Sequence, residues 1–113
     1  DILLNDYSTT SVDFSILKRP QIFCMPDYDE YDAFKGFIDD YKKTMPGDSF
    51  NDIYGFFKLL DKIIQNEPQY IKDYEKQREY LLDKYYNLSN TKSVENYKIF
   101  LKNIMGVNKN YEE

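Results

Sequence analysis

Apolar residues recur at helical spacing over most of the chain beyond residue 27. The first stripe advances in alternating steps of three and four, which is the period of one helical face, and it comprises Tyr31, Phe34, Ile38, Tyr41 and Met45. Acidic residues precede it and lysines close it, as the helix dipole favours. We therefore predict one helix from Asp27 to Met45, which Pro46 and Gly47 terminate.

A second, broader stripe predicts the central and most buried helix. Its members are Phe50, Ile53, Tyr54, Phe56, Phe57, Leu60, Ile63 and Ile64. Ser49 is the predicted N-cap, and Asp52 three residues later resembles the second half of a capping box. Gly55 within the stripe indicates a close helix crossing.

Two more helices follow a corner at 66–68, where Pro68 suits a first helical turn. The third helix has one apolar face, formed by Ile71, Tyr74, Leu81, Leu82, Tyr85 and Leu88. The fourth helix begins at Ser93 and ends at Gly106. Its apolar face is formed by Val94, Tyr97, Phe100, Leu101 and Ile104. Short connections favour antiparallel neighbours. The predicted fold class is all-α: a compact four-helix bundle over residues 27–106.

Residues 1–26 show no sustained helical period. Val12, Phe14 and Ile16 alternate with polar residues, and Pro20 and Pro26 interrupt the segment. We predict an extended N-terminal arm that packs on the bundle and contributes at most one short strand. Residues 107–113 are predicted to be a frayed tail.

The composition is that of one folded domain with little catalytic equipment. The chain has 113 residues, 18% of them aromatic, and it contains no histidine and a single cysteine, Cys24. The commonest general base, the Ser-His and Cys-His pairs and the usual zinc ligands are therefore missing. No Gly-rich phosphate loop or nucleophile elbow occurs either. The sequence predicts a non-enzymatic protein with no cofactor and no metal site.

The charge and the apolar runs narrow the choice of partners. The formal net charge is −5, which argues against binding of free nucleic acid. No apolar run approaches the roughly 18 residues that a membrane span needs. The chain begins at Asp1 rather than Met, so we expect it to be excised from a larger protein. Cys24 alone weakly favours a reducing compartment, and Asn87 begins a glycosylation sequon that matters only in a secreted chain.

The twelve tyrosines and the acidic stretch at 27–34 are the candidate binding features. Exposed tyrosines often anchor protein interfaces, whereas tyrosines at helical spacing usually belong to a core. The acidic stretch is a candidate for binding a basic partner or for tyrosine modification, and alternatively a solvated helix start. The candidate partner-binding residues are Tyr28, Asp29, Glu30, Tyr31, Asp32, Tyr70, Tyr80 and Tyr86.

The segment FKLLDKIIQNEPQYIKDYEKQREYLLDKYY, residues 57–86, resembles the second half of an FF domain. The resemblance consists of an aromatic on a helix, an acidic-Pro-x-aromatic corner and a charged helix that ends in paired large residues. Phe34 or Phe37 would supply the aromatic of the preceding helix. The resemblance implies binding of phosphorylated or acidic peptides, with Lys58, Lys62 and Lys72 as candidate contacts.

The sequence thus predicts an acidic, tyrosine-rich protein-protein interaction module that binds another protein or a peptide. Three alternatives stay open: a structural or surface helical domain of a larger, exported protein; the FF-like peptide binder; and an acidic mimic of nucleic acid. The oligomeric state is open as well, because a broad apolar stripe serves a dimer as readily as a core.

Overall fold

The computed structural model describes residues 1–37, 40–86 and 92–106 and shows a mixed α/β architecture. The strands are β1 (Leu3–Asn5), β2 (Gln21–Cys24) and β3 (Gly47–Phe50). The helices are α1 (Thr10–Phe14), which continues into a 3₁₀ turn (Ser15–Leu17), α2 (Tyr28–Phe34), α3 (Tyr41–Thr44), α4 (Ile53–Gln65), α5 (Glu67–Asp73), α6 (Glu75–Tyr85) and α7 (Ser93–Met105). The all-α four-helix bundle predicted from the sequence is therefore wrong.

The three strands form a parallel sheet in the order β1-β2-β3. Leu3 pairs with Gln21, and Gln21 pairs in turn with Gly47, so β2 is the central strand. Central parallel strands are covered on both faces and consist of short apolar runs, as Ile22 and Phe23 illustrate. The residues that were expected to form an extended arm thus supply two of the three strands.

The side chains of β2 divide the core into two clusters, because successive residues of a strand face opposite sides. On one side Ile22 packs with Ile63 of α4 and Tyr70 of α5. On the other side Phe23 packs with Met25 and Met45. The helices therefore cover both faces of the small sheet.

The predicted helix over 27–45 is broken into two. Helix α2 ends at Phe34, and Gly36 adopts φ +70°, a left-handed conformation that side chains disfavour and that stops a helix. A separate turn of helix, α3, follows at Tyr41–Thr44. The apolar period continued through this break, so periodicity alone did not reveal it.

Helix α4 differs from its prediction at its start and in its burial. The helix is capped by Asp52, whose carboxylate accepts the Gly55 N–H at 2.7 Å, whereas Ser49 lies within β3. Ile63 is buried, but Tyr54 and Ile64 are each 76% exposed. Only one edge of the broad stripe faces the sheet, so the expectation of a fully buried central helix is wrong.

The remaining helices agree with the sequence in part. The expected third helix is split at Tyr74 into α5 and α6. Helix α7 confirms the fourth, since it begins at Ser93 and ends at Gly106 in the left-handed conformation. Within the described ranges, none of the helices combines the length and the apolar character that crossing a bilayer requires.

Candidate functional site

A cavity of about 520 Å³ lies on the side of the sheet that carries Phe23. Three parts of the chain line it: the turn after β1 with the start of α1, the α2–α3 region, and the end of α6. The described residues around it are Tyr7, Ser8, Thr9, Ser11, Val12, Asp13, Tyr31, Gly36, Phe37, Tyr41, Thr44, Met45, Leu81, Tyr85 and Tyr86. Its volume lies in the range of small-molecule sites.

The first side of the cavity, the hydroxyl wall, is formed by Ser8, Thr9, Ser11 and Asp13. It starts directly beyond the carboxyl end of β1, and the carboxyl ends of strands are where open parallel sheets bind their ligands. The Ser8 hydroxyl lies 2.9 Å from the Thr10 hydroxyl and accepts the Thr10 N–H at 3.2 Å. The buried Asn5 amide donates to the Ser8 carbonyl at 3.0 Å. These bonds give the turn a defined shape.

The second side, the ring wall, consists of Tyr7, Tyr31, Phe37 and Tyr41. Tyr7 stacks on Tyr31 with ring centroids 4.1 Å apart, and Phe37 stacks on Tyr41 at 4.8 Å. Tyr7 donates to Asp27 at 2.8 Å, and Tyr41 donates to the Asp6 carbonyl at 2.8 Å. The wall is apolar across its faces and bonded at its edges, an arrangement that suits stacked aromatic residues.

Both bonded tyrosines of the ring wall are held in the neutral form. Burial, with the nearby Asp6 carboxylate, raises the pKa of Tyr41 to about 12. Burial and the hydrogen bond to Asp27 also raise the pKa of Tyr7 well above its usual value. Neither phenol therefore ionises at neutral pH, and the wall offers rings and hydroxyls rather than charges.

The third side comes from the end of α6, with Leu81, Tyr85 and Tyr86. The Tyr86 hydroxyl donates to the Asp13 carboxylate and so ties α6 to α1, and this bond raises the pKa of Tyr86. Of the described residues that line the cavity, Asp13 alone carries a formal charge at neutral pH. In that described part, a ligand meets hydroxyls, rings and one carboxylate, and no basic side chain.

Outside this cavity the described residues offer little that is typical of a metal site. Among residues 1–37, 40–86 and 92–106, no group of three or more Cys, Asp or Glu side chains is arranged to hold a metal ion. Cys24 is a free thiol and half-buried.

The structure separates the residues that the sequence nominated for partner binding. Tyr31 and Tyr86 line the cavity, and Tyr28 stacks on Phe37 with centroids 5.4 Å apart. Asp29, Glu30 and Asp32 are exposed on α2, Tyr80 is 44% exposed on α6, and Asn87 lies outside the described residues. Binding of a partner protein at these positions stays a prediction.

Tyr70 has a structural position, because it is buried between α5 and the sheet. Its hydroxyl donates to the Gln21 carbonyl at 2.8 Å and accepts the Asp48 N–H at 2.8 Å, which joins α5 to β2 and β3. Tyr74 beside it donates to the Asp48 carboxylate, and Lys62 bonds the same carboxylate at 2.8 Å. The lysine proposed as a peptide contact thus has an intramolecular ion pair.

Sequence reasoning missed the hydroxyl wall altogether. The signal that could have found it was the order of short elements: an apolar run at 2–4, a turn rich in hydroxyls at 8–11, and an apolar run at 22–25 between two prolines. Such an order is typical of a strand, a crossover and a parallel strand. The alternation at Val12, Phe14 and Ile16 concealed the crossover, because it was interpreted as extended chain.

Comparison with known proteins gives matches along nearly the whole chain. The sequence model of the family described as CDP-glycerol:poly(glycerophosphate) glycerophosphotransferase matches residues 1–100. A teichoic acid glycerol-phosphate transferase from Staphylococcus aureus is 41% identical over 73 residues, which are 64% of this chain and 19% of the relative. A teichoic acid poly(glycerol phosphate) polymerase from Staphylococcus epidermidis is 39% identical over 71 residues, which are 62% of this chain and 10% of the relative.

A solved structure agrees with these matches. A variant of the wall teichoic acid polymerase TagF superposes with a TM-score of 0.68 at 30% identity, over 94% of this chain and 25% of that one. The chain thus spans between a tenth and a quarter of the length of these relatives.

These matches correct the functional predictions. The FF resemblance is wrong, because the family that matches is a different one and it includes the segment 57–86 that carried the resemblance. The prediction of a non-enzymatic helical interaction module is wrong, because the matching relatives are transferases and polymerases. The missing histidine was a poor guide, since a chain that spans a tenth to a quarter of its relatives' length need not contain a catalytic base. This chain belongs to the CDP-glycerol:poly(glycerophosphate) glycerophosphotransferase family.

Proposed function

We propose that this chain forms one side of the substrate site of a glycerophosphotransferase, which transfers glycerophosphate from CDP-glycerol to a poly(glycerophosphate) chain. The observation that carries the proposal is the family match over residues 1–100, which includes all the described residues that line the cavity. The position of the hydroxyl wall beyond a parallel strand supports the same site.

The chemistry named by the family sets what the site must do. An oxygen of an acceptor hydroxyl bonds to the phosphorus that carries glycerol, the bond from that phosphorus to the bridging oxygen breaks, and CMP leaves. The acceptor hydroxyl gives up its proton to a base or to solvent. Negative charge spreads over the phosphate oxygens in this step, so donors placed around them favour it.

The hydroxyl wall is suited to such a phosphate. Ser8 and Thr9 are exposed to the cavity, and hydroxyls donate to phosphate oxygens without introducing charge. The ring wall is stacked and apolar, and it would keep water from the phosphate. We assign the phosphate to the hydroxyl wall and leave the ring wall as the flank of the site.

This side of the site does not suffice for catalysis. A pyrophosphate needs positive charge beside it, and the described lining of the cavity carries a carboxylate and no basic side chain. The matching relatives are four to ten times longer than the segment they share with this chain. We propose that residues beyond these 113 supply the cations and the base.

The test is a transfer assay with the full-length transferase that contains this segment, using CDP-glycerol labelled in its glycerol. Hydrogen bonds to charged groups contribute about 1.5–3 kcal/mol, so the double variant Ser8→Ala, Thr9→Ala should lower kcat/KM by at least roughly tenfold. Ser93→Ala on α7, which removes an exposed hydroxyl away from the cavity, is the matched control. Full activity of the double variant would contradict the assignment of the phosphate, and a wild-type enzyme that transfers nothing from CDP-glycerol would contradict the function.

A further inference from the structure

Gln21 is a buried amide in the middle of the molecule. It opens the central strand β2 and is only 1% exposed. A buried carboxamide is costly unless its donor and acceptor groups are both bonded. Its oxygen accepts the Ser11 hydroxyl at 2.7 Å, and its nitrogen donates to the Ser11 carbonyl at 3.1 Å and to the Ser15 hydroxyl at 3.0 Å.

These contacts form a closed network. Ser11 and Ser15 are four residues apart, so they share one face of the helical segment from α1 into the 3₁₀ turn. The Ser15 hydroxyl, which is fully buried, also donates to the Ser11 carbonyl at 2.7 Å. Among the described residues, no buried side-chain nitrogen or oxygen lacks a hydrogen-bond partner.

This segment also borders the cavity, and Ser11 itself is among the residues that line it. Val12 and Asp13 line it, as do Ser8 and Thr9 just before the helix. Gln21 therefore bonds to the hydroxyl wall directly through Ser11, while Ser15, which is not part of the wall, bonds to both Gln21 and Ser11. The backbone of Gln21 is also held in place, because its carbonyl oxygen accepts a hydrogen bond from the Tyr70 hydroxyl at 2.8 Å.

The two bonds between Gln21 and Ser11 determine both the distance and the rotation of α1. One bond would allow the helix to pivot, whereas a donor and an acceptor held in one plane restrict that pivot. An apolar residue of the same length would fill the space and impose no such restriction. Asn5 holds the Ser8 carbonyl in the same way at the start of the turn.

We propose that Gln21 is a positioning residue of the transferase: it sets the position of the hydroxyl wall relative to the sheet. The inference rests on the proposed function for its consequence in catalysis, but its structural content does not depend on that function. A displacement of about 1 Å at a reacting group can lower a rate by roughly 100-fold. The cost of losing the network should therefore appear in catalysis as well as in stability.

The test compares Gln21→Met with Ile22→Val. Methionine keeps the length of the side chain and removes its polar groups, whereas Ile22→Val weakens the opposite face of β2 and leaves the amide network intact. In the full-length transferase, Gln21→Met should lower kcat/KM for CDP-glycerol by roughly 10- to 100-fold. Ile22→Val should lower the thermal midpoint and leave kcat/KM within about twofold, as expected for a change away from the site.

Amide hydrogen exchange in the 113-residue chain gives a readout that is independent of catalysis. Exchange at Thr10 and Val12 should accelerate in Gln21→Met and stay as in the wild type in Ile22→Val, when both are compared at equal distance from their unfolding midpoints. If Gln21→Met does not fold, Ser15→Ala is the second variant, which removes the two bonds of the Ser15 hydroxyl and keeps both bonds between Gln21 and Ser11. It should show the same pattern with a smaller, roughly three- to tenfold, loss of kcat/KM.

The outcomes separate the two proposals. A Gln21→Met enzyme with wild-type kcat/KM and unchanged exchange at Thr10 and Val12 would overturn the positioning role. A wild-type enzyme that is inactive on CDP-glycerol would overturn the proposed function alone, since the exchange pattern still decides whether Gln21 holds the wall.

Discussion

Gly47 of β3 pairs with Gln21 of β2, and no larger residue fits there. A Cβ atom at this position would lie 2.0 Å from the Gln21 carbonyl oxygen, which is a backbone atom and cannot turn aside. We expect Gly47→Ala to lower the free energy of unfolding by about 2 kcal/mol or more, as forced overpacking does. Chemical denaturation measures the loss, and Ser49→Ala, at an exposed position of the same strand, should change it by less than about 0.5 kcal/mol. Equal stabilities of the two variants would contradict the close approach of the strands.

Tyr41 gives the molecule a defined sensitivity to alkaline pH. Its pKa is raised from 10.0 to about 12 in the folded chain, mainly by burial, so the folded state favours the neutral phenol. The stability that follows from this preference is fully present below pH 10, the unfolded value, and is lost as the pH rises to about 12. Tyr41→Phe cannot ionise and loses the bond to the Asp6 carbonyl, so it should be less stable than the wild type at pH 8 by about 1 kcal/mol.

Comparing the stability of the wild type with that of Tyr41→Phe at higher pH tests the predicted direction of the change. Between pH 10 and 12 the wild type loses the contribution of Tyr41 while the phenylalanine variant does not, so the stability gap should narrow. Urea denaturation at pH 8, 10 and 11.5 measures it. A gap that is constant across this range would mean that the phenol is not protected in the folded state.

At the scale of elements, the sequence predicted the bounds of one helix, α7, and missed the sheet. Helix α7 was predicted correctly because its end depends on a local signal, Gly106 in the left-handed conformation. The sheet was missed because its strands have three or four residues, which is too short for their period to be distinguished from that of a helix. The prediction of one long helix over 27–45 was wrong because Gly36 adopts a left-handed conformation that stops the helix, while the apolar period of the sequence continues past this glycine.

The N-cap of α4 is Asp52 in the structure, whereas the sequence predicted Ser49. Asp52 accepts the Gly55 N–H at 2.7 Å, whereas Ser49 is part of β3. Asp52→Ala should therefore destabilise the chain by about 1 kcal/mol, and Asp52→Asn, which keeps the acceptor oxygen, by much less. Thermal unfolding of both variants measures the effect. A large loss in Ser49→Ala with none in Asp52→Ala would restore the earlier assignment of the cap.

At the scale of the whole molecule, the sequence predicted only part of the lining of the cavity. Tyr31 and Tyr86 were nominated as surface residues and line the cavity, while Ser8, Thr9 and Asp13 were not nominated at all. The cavity joins residues about 80 positions apart in the chain, from Tyr7 to Tyr86, and the sequence could not reveal this without the topology of the sheet. What the sequence could show was the surplus of tyrosine, which supplies much of the ring wall.

In the part of the chain that the structure describes, β1 has a free strand edge on the side away from β2. Within the described residues β1 pairs only with β2, which leaves one strand edge without a neighbour in the sheet. Leu4 of β1 is 53% exposed. Parallel sheets are normally covered, and an open apolar edge favours association between chains.

We therefore expect the 113-residue chain to self-associate at concentrations where the proposed full-length transferase does not. Leu4→Lys places a charge on this edge strand and should shift the 113-residue chain towards monomer, whereas Lys72→Glu, on the exposed surface of α5, changes charge elsewhere and should not. Sedimentation velocity over a hundredfold range of concentration distinguishes the two variants. If the wild-type chain stays monomeric throughout, the edge is satisfied within these 113 residues, and the rest of the transferase is not needed to cover it.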